Sequence, residues 1–157
     1  MPQRLSVVPM SELIPETRDW NGGSGISIES WIGCIGSIEH AIGYGELFWP
    51  EFVELDGCVF FAGVMETSYR GFLEQTGGDK RAVEAVLNHR HILDLFSGAQ
   101  PTHQQVVYLG RLLREIWAAK LAHDFPNRRF VVSFPEEECE GLLDYEVSFF
   151  QDGVHTL

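Results

Sequence analysis

Two hydrophobic periods alternate along the chain. Ile28, Trp31, Ile32, Ile35, Ile38 and Ile42 recur at helical spacing and form one apolar stripe. Ser27 stands where an N-cap is needed, Ile26 and Trp31 where a hydrophobic staple would sit, and Gly43 and Gly45 mark the predicted stop. The period then changes. Residues 52–55 and 58–62 flank Asp56-Gly57, a strong signal for a two-residue hairpin turn. Helical spacing returns over 66–75 and, after the breaker Thr76-Gly77-Gly78, over 79–96. Pro101 and Thr102 open the longest helix, which keeps Val106, Leu109, Leu113, Ile116, Trp117 and Leu121 on one face until Pro126 ends it. The last segment alternates with a period of two: Phe130, Val132 and Phe134, then Tyr145, Val147 and Phe149, joined by the acidic stretch 135–141.

This order predicts an α+β fold, an antiparallel sheet of about four strands covered by about four helices. The strands are two hairpins, at about 51–62 and about 129–150. Pro2, Pro9, Pro15 and the run Asn21-Gly22-Gly23-Ser24-Gly25 make 1–25 an irregular N-terminal arm, leaving 26–157 as a single globular domain. With 157 residues, 45% of them apolar, the chain has material for a core.

Charge narrows the partners. Against 11 Lys and Arg stand 23 Asp and Glu, a net charge of −12. Phosphate-backbone binding needs a basic surface, so nucleic acid is not an expected partner. The acids are unevenly spread: 19–69 holds eight and no Lys or Arg, 130–157 holds seven and no base, and 70–129 carries nine bases. Such a field draws a cationic partner and speeds its arrival. No apolar run is long enough for a membrane span, and Met1-Pro2-Gln3-Arg4-Leu5-Ser6 lacks the pattern of a secretory signal. Cys34, Cys58 and Cys139 are odd in number and form no CxxC, which predicts neither a disulfide framework nor a zinc knuckle. The expectation is a cytoplasmic protein.

Few residues offer chemistry. The glycine run at 21–25 precedes a helix but has no Lys-Ser/Thr pair after it, and it reads as a connector rather than a phosphate loop. Glu39 falls on the apolar stripe, where an unpaired carboxyl would have a raised pKa, while His40 lies on the opposite, glycine-bearing face. Asn88-His89-Arg90-His91 invites a metal. On a helix, however, His89 and His91 face nearly opposite ways, so one ion could not take both unless the helix broke and a carboxylate such as Asp94 swung in. His89 then reads as a hydrogen-bonded core histidine, and neither a metal nor a cofactor is expected. Cys34 and Cys58 sit in apolar surroundings and read as buried and inert. No nucleophile-elbow, zinc-protease, EF-hand or Walker pattern occurs.

The segment Tyr44-Gly45-Glu46-Leu47-Phe48-Trp49-Pro50-Glu51-Phe52 places aromatic anchors among acids, the composition of a binding hot spot. Glu46, Trp49, Glu51, Glu54 and Asp56 are therefore the candidate partner-binding residues. The leading expectation is a small acidic protein-binding module, an inhibitor or immunity protein that captures a basic partner such as a toxin. Two alternatives stand beside it: a ligand-binding domain or hydrolase-type enzyme built on Glu39, His40, His89 and His91, and a structural homodimer subunit.

Overall fold

The structure is a computed structural model that describes residues 8–153. Residues 1–7, with the stretch read for targeting, and residues 154–157 lie outside the described residues. The chain divides into two compact units, residues 1–45 and 46–157.

The first unit begins with short helical turns: α1 (Met10–Leu13), a 3-10 turn at Pro15–Arg18, and α2 (Trp20–Gly23). Leu13 and Thr17 are buried, and the Thr17 hydroxyl donates to the Ile14 carbonyl at 2.8 Å. The run at 21–25 is a left-handed turn, with φ of 55° at Asn21 and 65° at Gly22, closed by Asn21 Nδ2 donating to the Gly25 carbonyl at 2.7 Å. Ser27 caps α3 (Ile28–Ile35), its hydroxyl accepting from Ser30 N at 3.2 Å.

The single helix predicted from the isoleucine stripe is two. Gly36 is extended, and Ser37 starts a new helix, α4 (Ile38–Phe48), by accepting His40 N on its hydroxyl at 3.3 Å and Ala41 N on its carbonyl at 3.0 Å. A serine that satisfies orphan N–H groups at a new start offsets the broken stripe. α4 also runs through Gly43 and Gly45, the predicted stop, because an interior glycine costs only about 1 kcal/mol; it ends two residues before Pro50.

The second unit opens with the expected hairpin. β1 (Phe52–Leu55) pairs with β2 (Cys58–Phe61), Phe52 opposite Phe61 and Leu55 opposite Cys58, through a turn with φ of 52° at Asp56 and 79° at Gly57. α5 (Glu66–Gln75) and α6 (Lys80–Leu87) follow, the latter capped by the Asp79 carboxylate on Ala82 N at 3.0 Å. Helix was expected to continue to residue 96. Instead the chain leaves α6 at Asn88, forms the two-residue strand β3 (Arg90–His91), and makes a single turn, α7 (Ile92–Leu95). α8 (His103–Asp124) begins in a capping box between Thr102 and Gln105. β4 (Phe130–Ser133), a 3-10 turn at Leu142–Asp144 and β5 (Glu146–Gln151) complete it.

The fold is α+β, with a correction to its sheet. The described residues hold two antiparallel sheets, β1-β2 and β3-β5-β4, rather than about four strands in one. α8 buries Val106, Leu113, Trp117 and Leu121 in a core shared with Val59, Ile92, Tyr145, Val147 and Phe149. Gly110 serves that packing: a Cβ there would lie 2.0 Å from a ring carbon of Phe134.

The sheets are joined by side chains. Glu84 and Asn88, one turn apart on α6 and at its end, are fully buried. Glu84 Oε1 accepts Val59 N of β2 at 2.8 Å, and its Oε2 accepts Gln151 N of β5 at 2.7 Å. Asn88 Nδ2 donates to the Val59 carbonyl at 2.9 Å and to the Phe149 carbonyl at 3.3 Å. No helix among the described residues is long and apolar enough to cross a membrane.

Two substitutions test these joints. Gly110→Ala forces a methyl against the Phe134 ring and should cost about 1–3 kcal/mol in urea unfolding. Glu84→Ala strands the N–H groups of Val59 and Gln151 away from water and should cost about 2–5 kcal/mol by the same measurement.

Candidate functional site

The end of α6 gathers polar groups of the second unit into one arrangement. A helix leaves its last carbonyls without partners. Here each finds one: Glu84 O accepts Asn88 N at 2.9 Å, Ala85 O accepts the Ser148 hydroxyl at 2.7 Å, Val86 O accepts His89 Nδ1, and Leu87 O accepts Arg90 Nη1 at 3.2 Å. The motif Asn88-His89-Arg90 thus closes the helix and turns the chain into β3.

Extended backbone sends alternate side chains to opposite sides. Arg90 goes one way. Its guanidinium lies 4.6 Å from the centre of the Phe61 ring, and it also donates to the His89 carbonyl at 2.7 Å. Burial pulls its pKa below the usual arginine value. Arg90 edges a cleft of about 260 Å3 with Glu46, Leu47, Glu51 and Trp117, and a second hollow of about 230 Å3 on the Met65 side. No carboxylate among the described residues forms an ion pair with it.

His89 and His91 go the other way, and their rings meet edge to face with centroids 5.3 Å apart. Glu146 of β5 is the direct cross-strand partner of His91, with its Oε2 3.7 Å from His91 Nε2. The Nδ1 of His91 donates to the Leu143 carbonyl at 2.8 Å. One donor atom from each of His89, His91 and Glu146 lies within 4.8 Å of the other two. The expectation that the histidines diverge fails because the helix does break, and the carboxylate that joins them is Glu146, not Asp94. His89 is half-buried rather than a core residue.

The candidate partner-binding residues separate. Glu46 and Glu51 are exposed along the cleft. Trp49, 48% exposed, lies beside the Lys120 ammonium at 5.5 Å and the His123 ring at 6.0 Å. Glu54 pairs with Arg128 at 2.8 Å. Asp56 accepts the Tyr69 hydroxyl at 2.6 Å and pairs with Lys80 at 3.2 Å, contacts that hold its carboxyl below the usual range. Those two acids therefore serve the fold, and reversing Asp56 would also disturb the hairpin turn.

Two expectations for the first unit are corrected. Glu39 does not face a core: it is exposed, and a hydrogen bond from the Ser37 hydroxyl at 2.7 Å lowers its pKa. Cys34 is exposed, not buried. His40 is exposed beside Tyr44, ring centroids 6.3 Å apart. The apolar stripe is exposed as well, with Ile32 at 54%, Ile35 at 52%, Ile38 at 74% and Ile42 at 65%.

Sequence reasoning passed over Arg90 and Glu146. Glu146 was visible as a polar position on the alternating last strand, but only strand pairing brings it to His91. No family model matches this sequence, and no curated protein or solved structure matches it.

Cys58 keeps the inert character expected of it: burial pushes its thiol from 9.0 up to about 11. A raised folded-state pKa supplies stability that is complete below pH 9.0 and is lost as pH rises toward about 11. The Tyr69 hydroxyl, raised by burial and by Asp56, acts in the same direction. Alkaline melting curves should therefore decline across that window, and a thiol reagent should label Cys34 in the folded protein but Cys58 only after denaturation.

Proposed function

We propose that this chain is a small acidic cytoplasmic module that captures a basic protein, in the manner of an inhibitor or immunity protein. The observation that carries the reading is the exposure of Ile32, Ile35, Ile38 and Ile42, at 52–74%, within a stretch of eight acids and no Lys or Arg. Isolated exposed aliphatics are ordinary, whereas exposed apolar side chains repeated among acids are the makings of a contact surface. Ile32 and Ile35 lie three apart on α3, and Ile38 and Ile42 four apart on α4, so each helix offers an apolar pair on one face.

Charge selects the occupant. Glu29 and Glu39 flank these pairs, and both are exposed. A second copy of the chain would set the same acids against each other, which costs binding energy. A partner with lysines and arginines around an apolar contact meets both features. The second unit has exposed acids of its own, Glu46 and Glu51, along its cleft.

The test uses the tagged full chain against its own source lysate, followed by purification of any retained protein and rebinding. A basic protein should bind at about 50 mM salt and weaken at about 300 mM, where screening shortens below 10 Å. The double variant Ile38→Asp/Ile42→Asp should lose at least about tenfold in affinity, as hot-spot truncations do, while keeping its circular dichroism. Unchanged affinity in the folded variant rejects this face. A chain that is dimeric by light scattering, and monomeric once both isoleucines are replaced, rejects the capture reading in favour of a homodimer.

A further inference from the structure

We propose that His89, His91 and Glu146 form a site for a divalent transition metal of the zinc class, with three protein donors and one open position. The site belongs to the second unit and does not rest on the capture reading.

The geometry is that of ligands already oriented. Metal-binding histidines characteristically donate their second ring N–H to a carboxylate or backbone carbonyl, which fixes the tautomer and aims the remaining lone pair. Both histidines here do so. His89 Nδ1 faces the Val86 carbonyl at the end of α6, and His91 Nδ1 faces the Leu143 carbonyl in the 3-10 turn. Each acceptor demands a proton on Nδ1, so in the neutral ring it is Nε2 that carries the lone pair. These two carbonyls come from segments far apart in sequence, yet impose the same tautomer on neighbouring rings.

The third donor arrives by strand register. Glu146 stands opposite His91 in the β3–β5 pair, and its Oε2 is 3.7 Å from His91 Nε2. Two donors on one tetrahedral zinc, at about 2.0–2.1 Å each, sit about 3.3 Å apart. The observed pair is within a side-chain adjustment of that, and the full set, within 4.8 Å, needs only a modest closure of half-exposed groups. A cross-strand ion pair would account for His91 and Glu146 alone. The helix cap on Val86 places His89, and it brings a second imidazole against His91 with its Nδ1 already bonded.

Charge and donor type agree on the ligand class. Two neutral imidazoles and one carboxylate suit zinc and its neighbours rather than calcium or magnesium, which take oxygen donors. The negative end of the α6 dipole favours a cation there. Arg90, the nearby fixed cation, is turned to the other side of β3 against Phe61. Three ligands leave a fourth position for water or for a donor from a bound molecule.

The test titrates the chelator-stripped full chain with zinc by calorimetry, beside His89→Gln, His91→Gln, Glu146→Gln and a Cys34→Ser control. Long-range proton–nitrogen spectra of the imidazoles provide the second readout. The expected result is one zinc per chain, lost by at least about 100-fold in His91→Gln and by about 10-fold or more in Glu146→Gln. Cys34→Ser should bind as the wild type does, calcium should not compete, and the Nε2 resonances of His89 and His91 should be the ones that shift. No saturable binding below about 1 mM zinc overturns the site. So does full affinity in the folded ligand variants, or a shift confined to His40, His103 or His123. If His91→Gln fails to fold, the spectra of the wild-type chain decide the assignment.

Discussion

The second unit depends on one buried carboxylate. Between β2 and β5 the described residues share no backbone hydrogen bond; the gap is spanned by Glu84 and Asn88 reaching from α6 to both strands. Glu84 acts only as an acceptor, taking Val59 N, Gln151 N and Gln151 Nε2, and no described Lys or Arg pairs with it. A buried charge with no cation is costly unless hydrogen bonds replace the lost water. Three N–H donors do so here. The same bonds satisfy strand groups that would otherwise face a helix, and register is fixed beside them by the side chains, since slipping either strand by one residue would turn its buried face outward.

That constraint reaches the candidate metal site. Asn88 must donate to two carbonyls on different strands, and it does so from a position with φ of −98° and ψ of 2°, outside α6. The helix therefore ends at Leu87, and the next residues have orphan carbonyls to satisfy. His89 and Arg90 turn back to do this, which starts β3 and sets the histidines on one side. The histidine pair is thus a consequence of how the sheets are joined. Its tautomers are fixed by the fold rather than by any ligand.

Much of this was legible along the chain, and the failures share a cause. The Asp56-Gly57 hairpin, the long helix behind Thr102 and the final strands are specified by local rules, namely turn chemistry, capping and period, and they stand as read. The helix predicted over 79–96 has good local periodicity, but residues 88–91 answer to partners some 60 positions away in β5. Local pattern carries no information about such partners. The same holds for Glu84, which looks like an ordinary exposed glutamate on an amphipathic helix. For the isoleucine stripe the helical period was right within each half, but it did not show the break at Gly36, and only the structure says that much of the apolar face is uncovered.

Net charge needs the same separation. The nine bases of 70–129 are not spread evenly over the acids. Arg128, Lys80, Arg70 and Arg114 pair with Glu54, Asp56, Glu66 and Glu136, all within the second unit. The first unit holds no ion pair among its described residues; Glu39 is held by a serine hydroxyl, and Glu16 accepts the Trp31 indole N–H at 2.6 Å. Hydrogen bonds of that kind stabilise a carboxylate without cancelling its field. Acids without a Lys or Arg partner thus stand in both units, Glu29 and Glu39 beside the exposed isoleucines and Glu46 and Glu51 along the cleft. The capture proposed above draws on the first pair, where acids and uncovered apolar side chains share the same helices, because a basic partner with an apolar contact would meet both.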